Sequence, residues 1–316
     1  MGRPAIIVVG SFAVGLTIRA SKLPIFGETM LGSDFDMGPG GKGSNQAVAT
    51  ARLGANSALL AMIGTDKLAA IATDLYAAEG VDASLVTSRP ERETGVGFII
   101  LNHKGENFII LDMGANELLD ARAVDEGEAR IAQSDVVMTV LEVPTVAATR
   151  AMELGRKFGV KTILNPAPAR PVPDSLLRSV DYLTPNESEL RILLGLPPDD
   201  PRSSRELAGE LRRRGARNVI VTLGRAGALI LNDDLDLLVP AIEVAVTDTT
   251  GAGDAFNSGL AVALAEGRDL VEAVRFGVVC GGLACTRLGV IPSLPSRAAA
   301  DALYARALET RGKELS

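Results

Sequence analysis

Short apolar runs alternate with helical stretches along most of this 316-residue chain. Each run has the length of a single β-strand, and strands separated by helices pair in parallel, with the helices covering both faces of the sheet. Alanine and glycine are abundant and aromatic residues make up only 3% of the chain, which suits close packing of helices on a sheet. The alternation therefore predicts an α/β fold with a mostly parallel central sheet, its strands at residues 5–10, 57–63, 136–141, 160–164 and 218–223.

Two segments, residues 15–37 and 94–112, depart from this alternation. They read as strands that have one polar face, and the second contains a hairpin-like Asn-His-Lys-Gly-Glu-Asn turn around His103. No repeat, low-complexity tract or long linker divides the sequence, and its 47% hydrophobic content is enough for one large core. We predict a single domain over residues 1–316, with these two segments as additional β-structure.

The motif VTDTTGAGDAFNSG, residues 246–259, places a carboxylate inside a glycine-rich turn. Gly251, Ala252 and Gly253 leave the backbone uncrowded before an apolar helix predicted at residues 255–265. The first amide groups of a helix have no intrahelical partner and attract anions. Asp254 lies in that first turn, close enough to a bound phosphate to take a proton from an attacking hydroxyl. The alternative is a turn whose Asp only caps the helix.

A second glycine-rich entry to a helix, GPGGKGSNQAVATARLGA, covers residues 38–55. Gly38, Gly40 and Gly43 satisfy the G-x-G-x-x-G pattern of dinucleotide sites, but they do not directly follow the first strand, as that site requires. Lys42 is followed by Gly43 instead of Ser or Thr, which excludes a P-loop. Neither common nucleotide motif therefore accounts for this segment.

The two motifs, in their order and separation, resemble the signature sequences of the ribokinase-like family of carbohydrate kinases, also called the PfkB family. Residues 111–119, 164–177, 181–190, 219–229 and 287–295 resemble the same family in order and spacing. The resemblance implies a ribokinase-like α/β fold in which residues 15–37 and 94–112 form a small β lid over the sugar. It also implies transfer of the γ-phosphate of ATP to a sugar hydroxyl, with Mg²⁺ and K⁺ as cofactors. Lid sheets of this family often pair between subunits, so a homodimer is expected.

The resemblance further implies roles for individual residues. They are Asp254 as catalytic base; Gly251, Ala252 and Gly253 as anion hole; Asn186, Thr222, Gly224 and Gly227 at ATP; Gly41, Lys42, Asn45 and Glu142 at the sugar; Glu189 acting on Mg²⁺ through water; and Asp248, Thr250, Ala284, Gly289 and Ser293 around K⁺. Each set also has a structural interpretation. Asn186 and Glu189 match a capping box, and the two glycines near Thr222 suit a tight turn. Asp248 suits a local turn, and Lys42 and Glu142 could be surface charges.

The chain departs from the family pattern just after the first strand, where ribokinase-like relatives carry an Asn and an Asp that hold sugar hydroxyls. The matching positions here are Ala13 and Gly15, which have no polar side chain. Ribose itself is therefore not assured as the acceptor, although the kinase chemistry is unaffected. Period-two alternation puts Thr17 and Arg19 on the face of Gly15, so an inward Arg19 would favour an anionic acceptor; the alternative is a solvent-facing Arg19.

Composition excludes several other classes of protein. The net charge of −7 argues against binding to a polyanion, and no apolar run is long enough to span a membrane. Cys280 and Cys285 lack metal-ligand spacing and are predicted to be reduced core residues, and His103 alone cannot form a triad or a zinc site. A cytoplasmic enzyme is expected. The alternatives left open are a nucleoside kinase of the same fold, a dinucleotide-dependent oxidoreductase and a non-catalytic sugar-binding protein.

Overall fold

Two β-sheets organise the protein, whose computed structural model describes residues 2–102, 107–197 and 199–314. Within these residues the larger sheet has nine strands in the order β13-β12-β11-β10-β9-β8-β1-β4-β5, and the smaller has four in the order β3-β2-β6-β7. The strands are β1 Ala5–Val9, β2 Ala13–Arg19, β3 Ser33–Gly40, β4 Asn56–Ile63, β5 Asp82–Ser88, β6 Gly95–Leu101, β7 Asn107–Asp112, β8 Val136–Val140, β9 Lys161–Asn165, β10 Tyr182–Leu183, β11 Asn218–Thr222, β12 Ala228–Leu231 and β13 Asp236–Val239.

The larger sheet is parallel except at one edge, where the β11–β12 and β12–β13 pairs are antiparallel. In its middle, Val8 of β1 lies beside Leu59 of β4 and Met138 of β8, and all three side chains are fully buried. The five strands predicted from apolar runs are β1, β4, β8, β9 and β11, each within one residue at either end. The predicted fold class is confirmed.

Helices cover both faces of the larger sheet and enclose two hydrophobic cores. Ile6 and Val8 of β1 belong to one core, and Ile7 and Val9 to the other, because neighbouring strand residues point to opposite faces. In the described residues the helices are α1 Lys42–Arg52, α2 Ala69–Glu79, α3 Ala121–Glu126, α4 Glu128–Ala132, α5 Thr145–Phe158, α6 Asp174–Arg178, α7 Glu187–Leu193, α8 Ser204–Arg213, α9 Ala252–Ala265, α10 Leu270–Ala284, α11 Val290–Ser293 and α12 Arg297–Glu314.

Helices α9 and α10 pack closely because small residues meet at their contact. A Cβ added at Gly259 would lie 2.7 Å from the Cys280 sulfur, and one at Gly277 would lie 2.9 Å from the Phe256 carbonyl oxygen. Cys280 is fully buried, and burial raises the pKa of its thiol far above the usual range. This cysteine is therefore a reduced packing residue of the α9–α10 contact, as the sequence predicted.

The smaller sheet contains strands from both segments that the sequence set apart. Strands β2 and β3 come from the first segment and its flanks, and β6 and β7 come from the second. The β2–β6 pair is parallel and the other two pairs are antiparallel. The predicted hairpin turn with His103 lies outside the described residues. In the part of the chain that is described, no helix is long and apolar enough to cross a membrane.

Candidate active site

Asp254 is buried in the first turn of α9, with 4% of its surface exposed. The helix begins at Ala252, three residues before the predicted start, so Asp254 is its third residue. Gly251 precedes the helix with φ of 82°, and a Cβ there would lie 2.7 Å from a Val290 methyl carbon, so this turn requires glycine. The Ala252 N–H donates to the Thr249 carbonyl at 3.2 Å. The buried carboxylate and the start of the helix therefore form one compact corner.

Helix α1 brings the other glycine-rich motif to the same carboxylate. Asn45 donates from Nδ2 to Asp254 Oδ2 at 2.9 Å, and Gln46 donates from Nε2 to Asp254 Oδ1 at 3.1 Å. The helix starts after Gly41, whose φ is 86° and whose added Cβ would lie 2.7 Å from the Ala13 nitrogen. Sequence reasoning selected Asn45 but missed Gln46, and its only signal was its position next to Asn45 in the motif.

Lys42 and Glu142 lie at this corner and are both half-buried, so neither is an ordinary surface charge. Glu142 follows β8 and accepts hydrogen bonds at Oε2 from the Ser11 hydroxyl at 2.5 Å and from the Lys42 backbone N–H at 2.7 Å. Burial raises the pKa of the Glu142 carboxyl, an effect that the nearby Lys42 charge opposes. The charge of Asp254 raises the pKa of the Lys42 ammonium, which therefore stays protonated. The corner holds two carboxyl groups and one cation around Asn45.

A cavity of about 1460 Å³ opens on the other side of the α9 start. This volume exceeds the usual range for small-molecule sites of roughly 300–1,000 Å³, and the cavity is open to solvent. Residues from β11, the β11–β12 turn and α9 line it, and they include five positions predicted to contact ATP or its phosphates: Thr222, Gly224, Gly227, Ala252 and Gly253. Asn186 also lines it, and a β-bridge pairs this residue with Thr222. The cavity therefore reaches from the predicted nucleotide residues to the Asp254 corner.

Asn186 and Glu189 form a capping box at the start of α7. Asn186 Oδ1 accepts from the Glu189 N–H at 2.9 Å, and Glu189 Oε2 accepts from the Asn186 N–H at 2.8 Å. Burial raises the pKa of Glu189, and the Asn186 hydrogen bond and Lys42 oppose this effect. The structural interpretation of this pair is therefore present in the molecule, and it directs the Glu189 carboxylate toward the charged corner.

Asp248 joins the two loops that were predicted to hold a monovalent cation. Its Oδ1 accepts from the Thr250 N–H at 2.9 Å and from the Thr250 hydroxyl at 2.7 Å, and its Oδ2 accepts from the Gly289 N–H at 3.1 Å. Burial opposes ionisation, but these hydrogen bonds outweigh it and lower the pKa of Asp248. Ala284 ends α10, and Ser293 ends α11 with its hydroxyl donating to Val290. The two loops are thus held together by one ionised carboxylate.

Glycine and alanine line the part of the small sheet that adjoins this corner. Ala13 pairs with Gly40 and Gly95 on its two sides, and Gly15 pairs with Gly38 and Gly97. Residues paired across strands share a face, so these positions form one patch without long side chains. A Cβ added at Gly38 would meet no described atom within 4 Å, and one at Gly15 would have its nearest contacts at 3.7 Å. The patch therefore has space at Gly15 and Gly38, whereas it is closely packed at Gly95, where an added Cβ would lie 2.6 Å from Asn116 Nδ2.

Arg19 lies at the far end of β2 from the Asp254 corner. Its guanidinium is 3.6 Å from the Asp34 carboxylate, and the two side chains are 34% and 69% exposed. Asp36 lies beside Thr17 in the neighbouring strand and is exposed. Arg19 is therefore already engaged with an exposed carboxylate, as expected for the solvent-facing alternative.

The G-x-G-x-x-G pattern occupies a place that no dinucleotide site uses. Gly38 and Gly40 belong to β3 of the small sheet, and Gly43 lies in the first turn of α1. A dinucleotide site requires this pattern between a strand of the parallel sheet and its following helix. A Cβ added at Gly43 would lie 2.2 Å from the Ser11 nitrogen, so this glycine allows α1 to pack against the end of β1.

Comparison with protein-family models gives one match over nearly the whole chain. The model described as pfkB family carbohydrate kinase matches residues 3–297. Among curated proteins, the chain is 37% identical to a ribokinase of Haemophilus influenzae over 295 residues, which cover 93% of this chain and 96% of that protein. It is 35% identical to a deoxyribokinase of Salmonella typhi, covering 92% of this chain and 95% of that protein.

Solved structures of other proteins have the same fold, and one of them contains bound ligands. The chain superimposes on Arabidopsis thaliana ribokinase complexed with ribose and ATP with a TM-score of 0.89 and 30% identity, covering 96% of this chain and 99% of that one. The similarity therefore extends over both sheets of the structure.

Proposed function

The chain belongs to the pfkB family of carbohydrate kinases, and we propose that Asp254 is the general base of its reaction. The protein is an ATP-dependent sugar kinase, a phosphotransferase that acts on an alcohol group. The observation that carries the proposal is the burial of Asp254 between the two glycine-rich motifs, beside a cavity lined by the predicted ATP residues. Asp254 accepts the proton of the sugar hydroxyl, the hydroxyl oxygen bonds to the γ-phosphorus, and ADP leaves with the electrons of the broken bond.

Positive potential around the transferred phosphoryl group is supplied mainly by the start of α9 and by Lys42. Amide groups at the beginning of a helix carry partial positive charge, which supports Gly251, Ala252 and Gly253 as the proposed anion hole. Lys42 stays charged because Asp254 raises its pKa. Phosphoryl transfer depends largely on positioning and on neutralising charge, which the helix start and Lys42 would supply.

The residues at the nucleotide side suit ATP with Mg²⁺. Thr222, Gly224 and Gly227 are proposed to contact the nucleotide, and Asn186 to contact its phosphates. Glu189 suits Mg²⁺, because this ion prefers oxygen ligands and keeps several of its waters. Mg²⁺ would neutralise charge on the β- and γ-phosphates. A cytoplasmic location is part of the proposal, because ATP, Mg²⁺ and K⁺ are abundant there.

The donor set around Asp248 suits K⁺. In addition to the carboxylate, the two loops offer the backbone oxygens of Thr250, Ala284 and Gly289 and the hydroxyl of Ser293, and a large, weakly hydrated ion accepts such neutral oxygens. We propose that a monovalent cation here supports the α9 turn.

The sugar is proposed to bind between the α1 entry and the small sheet, held by Gly41, Lys42, Asn45 and Glu142. Asn45 Oδ1 is buried and has no hydrogen-bond partner among the described residues, so it is ready to accept from a sugar hydroxyl. The patch around Ala13 and Gly15 offers space and no hydrogen-bonding side chain. We therefore propose that the preferred acceptor is a sugar that carries more bulk than ribose on the side facing this patch.

A homodimer through the lid sheet is proposed because this sheet leaves large apolar side chains exposed. Phe98 of β6 and Phe108, Ile109, Ile110 and Leu111 of β7 are each between 45% and 59% exposed. Contiguous exposed apolar surface of this kind marks an interaction site. A second lid sheet would cover it, and would also cover the edge strand β7.

The test is ADP release with Mg²⁺-ATP and K⁺ across a panel of pentoses, hexoses, deoxysugars, polyols, sugar acids and nucleosides, with Asp254→Asn as the control. We expect turnover on a sugar larger than ribose, and loss of that turnover in the variant. A preference for nucleosides would instead support the nucleoside kinase, and turnover that survives in Asp254→Asn would refute the assignment of the base.

A further inference from the structure

Gln46 contacts the Asp254 carboxylate from a fully buried position, and the mechanism above gives it no role. Its side-chain Nε2 donates to Asp254 Oδ1 at 3.1 Å and to Asn165 Oδ1 at 3.1 Å. The geometry points to Gln46 as a positioning residue that holds the Asp254 carboxylate in place to receive the proton. This inference rests on the proposed role of Asp254.

The Gln46 amide closes a ring of buried hydrogen bonds around the start of α9. Asn165, which ends β9, donates to the Thr184 carbonyl at 3.4 Å, and the Thr184 hydroxyl donates to Asn257 Oδ1 at 2.6 Å. Asn257 Nδ2 donates to the Gly253 carbonyl at 2.8 Å, next to Asp254 in the chain. The ends of β9 and β10 are thereby tied to both the side chain and the backbone of the proposed catalytic turn, and Gln46 is the link to the carboxylate.

The amide is retained at a position where it costs stability. Gln46 is fully buried, and its Oε1 has no hydrogen-bond partner in the described part of the chain. An unpaired buried acceptor is unfavourable, and an apolar side chain of similar length would not carry it. The gain that offsets this cost is therefore the pair of donor bonds, one of which goes to the proposed base.

A donor bond to the ionised form of a carboxylate favours ionisation. Three other titratable groups interact with Asp254, namely Lys42, Glu142 and Glu189. Asn45 and Gln46 are neutral donors, each hydrogen-bonded to one of its two carboxylate oxygens. Loss of the Gln46 donor should therefore raise the pH at which Asp254 takes up its proton.

The experiment compares wild type with Gln46→Met, which keeps the length of the side chain and removes the amide. The acid limb of kcat/KM for the best acceptor of the panel reports the pKa of the base. We expect this limb to move up by about one to two pH units in the variant, because hydrogen bonds to charged groups have that strength. KM for ATP should stay within about twofold, since Gln46 does not line the nucleotide cavity.

A second readout does not depend on turnover. Carbon NMR of protein labelled at the aspartate carboxyl carbon gives the Asp254 titration directly, with Asp254→Asn identifying its signal. We expect the titration to move up in Gln46→Met together with the acid limb. If Asp254→Asn proves active, the proposed function fails, while the titration still shows whether Gln46 governs the ionisation of Asp254.

Two further variants separate positioning from packing. Thr50→Val removes a buried hydroxyl one turn further along α1, where it donates to the Ala47 carbonyl at 2.9 Å, and it should leave the acid limb unchanged. Asn165→Ala releases the second contact of the Gln46 amide and should move the limb in the same direction by a smaller amount. An acid limb and a titration that both stay at the wild-type position in Gln46→Met would overturn the inference, even if kcat falls.

Discussion

The two sheets of the protein present opposite surfaces to the proposed sugar site. At the carboxyl ends of the parallel strands, Asp254 is 4% exposed and both of its carboxylate oxygens accept hydrogen bonds from α1. The small sheet contributes Ala13, Gly15 and their glycine neighbours, and elsewhere exposes Phe98 at 52% and Ile110 at 59%. The first surface is polar, buried and hydrogen-bonded, whereas the second is apolar and exposes large side chains.

This difference assigns separate tasks to the two regions. A catalytic carboxylate needs a constant position and charge, which a buried network of hydrogen bonds provides. The choice of acceptor and the contact between subunits depend on the shape and the apolar area of a surface. The strands of the small sheet can change in shape and apolar area without disturbing the proposed base. Substitutions on the two sides should therefore alter different quantities.

The largest effect is expected at the polar side. Asp254→Asn keeps the shape of the side chain and removes the proton acceptor, so kcat should fall by about a thousandfold, as is common for loss of a general base. ADP release with the best acceptor measures it. Ser296→Ala, a change at a residue outside the site, is the control and should leave kcat unchanged. A loss of less than tenfold in Asp254→Asn would mean that another group takes the proton.

Substitutions in the small sheet should change the assembly of the protein more than its catalytic rate. The double variant Ile109→Lys/Ile110→Lys charges both faces of β7, and a two-fold dimer repeats each change. Two interface side chains that each contribute about 1–2 kcal/mol weaken the dimer by about a hundredfold or more. Sedimentation analysis over a range of concentrations measures the dissociation constant. Unchanged assembly in this variant would exclude β7 from the interface.

A matched double variant controls for added charge. Leu238 and Leu308 are 47% and 44% exposed and lie outside the small sheet. Leu238→Lys/Leu308→Lys therefore adds the same charge to apolar surface of similar exposure, and should leave the dissociation constant unchanged.

The sequence predicted the strands of the larger sheet better than those of the smaller sheet, for a physical reason. Buried parallel strands such as β1 and β8 are short continuous apolar runs, which composition alone reveals. Strand β3, Ser33–Gly40, mixes Asp, Gly and Pro with apolar residues, and its pairing with β2 depends on contacts distant in sequence. The start of α9 was placed three residues late, because Gly253 is a weak helix former and the run Gly251, Ala252 and Gly253 was interpreted as a glycine-rich turn, whereas the helix begins directly after Gly251.

Some residues of the proposed site could likewise be predicted from the sequence, and others could not. Motif similarity selected Asn45, Lys42 and Asp254, which the fold brings together within one corner. It could not select Gln46, because an amide next to a conspicuous Asn in a helix has no pattern of its own. Only the crossing of α1 over the start of α9 places that amide on the carboxylate.

The charge of Glu142 should favour binding of the acceptor and disfavour stability of the folded chain. Glu142→Gln keeps an oxygen that can accept from Ser11 and the Lys42 N–H, but removes the negative charge that a sugar hydroxyl would meet. KM for the acceptor should rise by about tenfold, because a site that offers paired hydrogen bonds is sensitive to their loss. Steady-state kinetics at saturating ATP measure it, and an unchanged KM would place the sugar away from Glu142.

The stability of the same variant has a defined pH dependence. Burial raises the pKa of Glu142 in the folded chain above its ordinary value of 4.5. The folded state therefore keeps this proton to a higher pH than the unfolded state, so this group's stabilising contribution is complete below 4.5 and is lost as pH rises through the folded pKa. Glu142→Gln has no such loss, and its Tm relative to wild type should be higher at pH 8 than at pH 4. A Tm difference that is larger at pH 4 than at pH 8 would mean that the surroundings of Glu142 favour its ionised form.

The smallest expected effect tests whether the lid patch selects the acceptor. Gly15→Asp and Ala13→Asn add polar side chains where the family resemblance implies them, and a Cβ at Gly15, with its nearest contacts at 3.7 Å, is accepted without strain. One new hydrogen bond contributes about 1 kcal/mol, so kcat/KM for ribose relative to the larger acceptor should rise by about fivefold in each variant. Gly15→Ala fills part of the same space without a polar group, and should reduce turnover of the larger acceptor while leaving ribose no better. A gain for ribose in Gly15→Ala equal to that in Gly15→Asp would show that the patch selects by volume alone, whereas a gain confined to the polar variants would show that the missing hydrogen bonds set the preference.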